Sequence, residues 1–104
     1  MGFSAEIRLE LERAEAARAA GNEGRARVCA RRAAGSAARD YLARHGVRPR
    51  TLYNALEALA AFPRLAPDLR QAAVHLTTRV DGEFHLPPEI DLLAEARKLI
   101  GGLQ

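Results

Sequence analysis

Residues 25–46 read RARVCARRAAGSAARDYLARHG, a stretch built mainly of alanine and arginine. Helix is the regular structure that suits it, because alanine loses no side-chain entropy there and arginine little. Its small residues, Ala30, Ala33, Ala34, Ala37 and Ala38, let a neighbouring helix approach closely, while Tyr41 and Leu42 supply bulk at one end. This helix is therefore expected at the centre of the molecule, with an alanine face against the helix before it. The rest of the 104-residue chain agrees: its 48% apolar share comes largely from Ala and Leu, and aromatics make up 5%. A chain of this size buries enough surface for one core without metal or disulfide help.

Cap and breaker residues divide the chain into four to five helices. Ser4 is a good N-cap for a first helix running to Ala20, with Glu6 in its first turn and Gly21 after its end. Asn22 caps the second helix, expected over residues 23–45 and closed by Gly46, with Gly24 and Gly35 weakening it by up to ~1 kcal/mol each. Pro49 fits the start of a third helix, with Thr51 as the alternative cap. Leu52, Ala55, Leu56 and Leu59 are its buried stripe, and Pro63 ends it. Pro67 suits the first position of a fourth helix over residues 68–80, with Leu69, Ala73, Leu76 and Val80 on its apolar face. Asp81 and Gly82 break the chain, and residues 83–87 form a loop. Pro88 opens a fifth helix with Ile90, Leu93, Ala96 or Arg97, and Ile100 on one side, ended by Gly101 and Gly102. No strand signal or internal repeat interrupts this pattern. The expectation is one all-α domain over residues 1–104, an antiparallel up-and-down bundle.

Charge is the second strong feature. Residues 25–50 hold eight arginines against Asp40, a net +7, whereas 1–24 and 51–104 carry −2 each. Localised positive charge seeks an anionic partner. Arg25, Arg32 and Arg39 recur every seven residues along one line of the helix, with Arg31 at the edge of the stripe. Guanidinium forks match phosphate oxygens, so these four are the expected phosphate contacts to RNA or a nucleotide. The alternative is pairing within the chain, since Glu6, Glu10, Glu12 and Glu15 on the first helix can lie beside the second. Surface pairs of that kind contribute ~0–1 kcal/mol each.

Arginine with histidine can cleave RNA: histidine moves a proton and arginine stabilises the phosphorane charge. Three spacings fit, Arg39 with His45, Arg70 with His75, and Arg79 with His85. On a regular helix the first two pairs point about 120° and about 140° apart, so neither converges without an irregularity or a second chain. Boundary packing for His75, and a favourable place at a helix C-terminus for His45, are the plainer roles. Cys29, His45, His75 and His85 lack paired metal-ligand spacing, so no metal or other cofactor is expected. Cys29 is alone and reads as a small apolar residue. Gly21 and Gly24 sit between helices, not after a strand, which argues against a phosphate-binding loop. No apolar run approaches the ~20 residues of a membrane span, and the first dozen residues lack a signal-peptide profile, so a cytoplasmic location is expected.

The order of features resembles the HEPN domains, the higher eukaryote and prokaryote nucleotide-binding helical bundles. The resemblance is carried by the turn Ala20-Gly21-Asn22, by the long second helix quoted above, and by the acid and arginine of the last helix, IDLLAEARKLI over residues 90–100. It implies nucleotide binding or RNA cleavage, a symmetric homodimer, and a small nucleotidyltransferase as partner in a toxin–antitoxin-type system. The family's catalytic motif is an arginine, four to six residues, then a histidine late in the bundle. Arg70 and His75 match it best, with Gln71 at the usual polar position. Many members lack the motif. The reading is therefore a binding module rather than an enzyme. A metal-independent ribonuclease using Arg70 and His75, and a plain protein-interaction bundle, stand as alternatives.

Overall fold

The computed structural model describes residues 4–78 and 90–104. They form five helices: α1 (Ala5–Ala19), α2 (Glu23–Ala43), α3 (Leu52–Ala60), α4 (Pro67–Thr77) and α5 (Leu92–Gly102). Among the described residues there is no strand. The all-α bundle expected from the alanine and leucine pattern is what forms.

Local chemistry sets the helix starts. The Ser4 hydroxyl accepts from the Ile7 amide at 3.2 Å, the Asn22 side chain from Arg25 at 3.1 Å and Thr51 from Asn54 at 2.9 Å. Each satisfies an amide that the helix leaves unpaired. Pro67 occupies the first turn of α4, where its missing N–H costs nothing. Asp91 caps α5 by accepting from Leu93 and Ala94. Of the two proposed starts for α3, Thr51 is the cap and Pro49 lies before it.

The ends of α1 and α2 are glycine turns. Gly21 (φ +80°) and Gly46 (φ +78°) take the left-handed conformation that side-chain-bearing residues avoid. The amide of Asn22 then reaches the Ala17 carbonyl, and that of Val47 the Leu42 carbonyl. These are Schellman closures. Several boundaries differ from expectation. Helix α2 stops at Ala43, with Arg44 and His45 in the turn. Helix α4 stops at Thr77, because Thr78 is already extended. Gly101 and Gly102 continue α5, whose cap is Leu103. The fifth helix, expected to open at Pro88 with Ile90 on its face, instead starts at Leu92 after the Asp91 cap, with Ile90 before it. Val80, Arg79, His85, the break at Asp81 and Gly82, the loop at 83–87 and Pro88 lie outside the described residues.

Helix α2 is the axis of the molecule. All six residues from Ala33 to Ala38 are buried, which on a helix covers every direction around it. It packs against α1, α3 and α5, while α4 closes the far side against α3 and α5. Buried large side chains, Leu42, Leu56, Leu59, Leu76, Leu99 and Ile100, fill the space that the alanines leave. Side-chain pairings set the directions. Glu6 meets Ser36, Glu10 meets Arg32 and Arg18 meets Glu23, so α1 and α2 are antiparallel. Tyr53 reaches Thr77 and His75 reaches Glu95, so α4 is antiparallel to its neighbours as well. Between α2 and α3 the direction does not alternate. The 44–51 connection carries the chain back along α2, placing Leu52 against Gly35, and α3 then advances until Phe62 meets Tyr41 and His45.

Candidate functional site

The arginines of the second helix divide into two groups. Arg31 turns inward: its Nε donates to the Leu76 carbonyl and its Nη2 to the Thr78 carbonyl, both at 3.0 Å. It thereby closes the C-terminal end of α4, where carbonyls lack partners and the dipole favours a cation. Burial, with Arg27 nearby, pushes the Arg31 guanidinium below its ordinary pKa. Arg44 does the same for α5, donating to the Leu103 carbonyl at 3.0 Å while lying over the Tyr41 ring at 5.6 Å. These two side chains are committed to the fold.

Arg25, Arg32 and Arg39 stay outside. Arg32 lies 4.0 Å from Glu10 and is 55% exposed, and Arg39 lies 3.9 Å from Asp40 and is 48% exposed. Such long, solvated pairs hold their partners weakly. The buried Glu10 is shared with Arg13, whose Nη1 is closer, at 3.4 Å. The exposed Arg25 guanidinium has no ion pair among the described residues. So the expected stripe survives as three guanidinium groups, with Arg31 withdrawn from it.

Other arginines join helices to one another. Arg18 grips two carboxylates at once: Nε and Nη2 donate to Glu23 at 3.1 and 2.7 Å, and Nη1 and Nη2 to Asp91 at 3.0 and 2.9 Å. The end of α1, the start of α2 and the cap of α5 meet at that one side chain. Its hydrogen bonds hold both the Glu23 and the Asp91 carboxyl groups below the usual carboxylate range and raise the guanidinium's own pKa. Arg97 pairs with Glu15 across α5 and α1.

His75 is bonded on both ring nitrogens. Its Nδ1 lies 2.6 Å from Glu95 Oε1, and its Nε2 3.1 Å from the Gln71 amide nitrogen. The Lys98 ammonium sits 3.3 Å from the other Glu95 oxygen. With a neutral imidazole, Nδ1–H donates to the carboxylate and the Gln71 amide donates to Nε2. A carboxylate that fixes an imidazole in this way is a proton-transfer arrangement, and equally a tie between α4 and α5. Arg70 makes no hydrogen bond or ion pair to His75, as the helical phase predicts. His45 likewise does not meet Arg39, and packs at a tilt against Tyr41 and Phe62 instead.

Glu95 was missed by the sequence reading, although a signal existed. It falls on the apolar stripe of α5 with Leu92, Ala96 and Leu99, where an acid has to find a partner. Glu10 occupies the same kind of position among Ile7, Ala14 and Ala17.

Among the described residues, no group of His, Cys, Asp or Glu side chains could hold a metal ion, and no helix is long and apolar enough to cross a membrane. No protein-family model matches the chain, and no curated protein or solved structure matches it either.

Proposed function

We propose that the chain is an RNA-binding helical bundle of HEPN-like organisation. It contacts phosphates through Arg25, Arg32 and Arg39 and acts in the cytoplasm as a homodimer alongside a small nucleotidyltransferase. The observation that carries the RNA-binding reading is the state of the stripe: three guanidinium groups at seven-residue spacing remain solvated, with long ion pairs or none among the described residues. Arg31, the fourth expected contact, serves α4 instead. Dimer and partner rest on the resemblance in helix order and in the turn at residues 20–22. A fluorescently labelled RNA titrated with the protein tests the reading. Arg32→Glu weakens binding several-fold, and unchanged affinity in that variant removes the phosphate ridge.

A ribonuclease of the same fold is the second reading, favoured by the short contact between His75 and the buried Glu95. Here His75 moves the proton and Glu95 orients it, while Arg70 would have to act from a second chain. RNA cutting that persists in His75→Ala excludes this role, and cutting lost in that variant but kept in Arg70→Ala assigns it to the His75 and Glu95 pair alone.

A further inference from the structure

The geometry points to a nucleobase-stacking subsite for single-stranded RNA at the end of the bundle where Tyr41, His45 and Phe62 meet, an inference that rests on the RNA-binding reading above. The three rings form one cluster of tilted and edge-on contacts. Tyr41 and His45 have centroids 4.5 Å apart, Phe62 stands edge-on to Tyr41 at 5.9 Å, and His45 and Phe62 are 5.5 Å apart. Tyr41 and Phe62 are partly buried and pack on the core, so they are held from beneath, whereas His45 is exposed. The Tyr41 hydroxyl makes no hydrogen bond among the described residues.

Arg44 lies over the Tyr41 ring at 5.6 Å, and two further arginines follow the rings in the chain. Arg48 lies three residues after His45 and Arg64 two residues after Phe62, and both are exposed without an ion pair among the described residues. The one carboxylate between residues 41 and 66 is Glu57, which accepts from Asn54. Neighbouring Asp40 lies beside Arg39. An exposed imidazole held against two core-packed rings, with a guanidinium over one of them and exposed arginines close by in the chain, matches a base with its adjoining phosphate, and it tolerates any base because each has a π-face. A duplex keeps its bases stacked inside and cannot use such a site. The arrangement exists because the 44–51 connection returns the chain along α2 and brings Phe62, which follows α3, level with the end of α2.

The chain has no tryptophan and two tyrosines, so a Tyr53→Phe background leaves Tyr41 as the reporting fluorophore. The full chain is titrated with single-stranded oligouridine of about ten nucleotides and with an RNA duplex of similar length. The single strand is expected to quench Tyr41 emission and the duplex is not. His45→Ala weakens single-strand binding about tenfold, leaving duplex binding and circular dichroism unchanged, and His45→Phe retains the preference. Equal single-strand affinity in His45→Ala, with Arg32→Glu still weakened, overturns the subsite and leaves the phosphate reading standing. A His45→Phe loss as large as that of His45→Ala also overturns stacking. Failure of the parent to bind either RNA at low salt removes both.

Discussion

Gly35 shows how a single residue can reverse its apparent meaning. On propensity it weakens a helix, and alanine there should add up to ~1 kcal/mol of stability. In the fold, a Cβ at this position would fall 2.6 Å from the Leu52 Cβ and 3.2 Å from the Leu52 carbonyl oxygen. The neighbour is largely backbone at the first residue of α3, so it cannot swing away. Gly35→Ala is therefore expected to destabilise by about 1–3 kcal/mol in urea unfolding. A stabilised variant would show that propensity outweighs the close approach of α2 and α3. Arg31 and Glu95 make the same point through polarity. The sequence placed Arg31 at the edge of a basic stripe, and only the position of the α4 carbonyls turns it inward. Glu95 was legible as an acid on an apolar stripe, but its partner His75 comes from another helix.

At the scale of elements, starts were easier to read than ends. Ser4, Asn22 and Pro67 act where the sequence put them, and Thr51, the alternative to Pro49, caps α3, because a cap is a contact between residues three apart; the α5 start was misplaced at Pro88, where Asp91 is the cap. Ends were set by longer-range company. Gly102 stays helical against Leu69, and α4 stops where Arg31 takes its last carbonyls. The grip of Arg18 on Glu23 and Asp91 joins three elements, and it carries a pH dependence. Both carboxyl groups have folded-state pKa values below their unfolded ones. Their contribution is thus fully present above the ordinary carboxylate range and is lost as pH falls through about 4 and below. All three groups are substantially exposed, so solvent screens the effect. Urea midpoints measured from about pH 6 to about pH 3 should fall less steeply for Asp91→Asn, which retains a capping side chain, than for the parent. Identical slopes would mean that the junction contributes nothing to folding.

For the whole molecule, the uneven charge is the property that reaches furthest. A net +7 between residues 25 and 50 sits on and just beyond the central helix, and the folded chain neutralises it only in part. Arg31 and Arg44 donate to carbonyl ends, which accept hydrogen bonds but leave the formal charge in place. If phosphates complete the balance, RNA affinity falls steeply as salt rises, and replacing Arg25 or Arg39 by glutamine lowers the slope of log affinity against log salt by about one each. A slope unaltered in both variants would separate these arginines from the binding surface.

Local pattern alone determined that this chain is helical, where its first, second and fourth helices begin, which apolar stripes they bury and that its second helix lies at the centre. Those properties depend on residues within a turn or two of one another, through propensity, capping and period. Tertiary structure decided the rest: that α3 advances alongside α2, that two arginines close the ends of α4 and α5, that His75 meets Glu95 and not Arg70, and that three rings gather at one end. Each of these depends on the distance between residues far apart in the chain, and a helical repeat says nothing about that distance until the helices have packed.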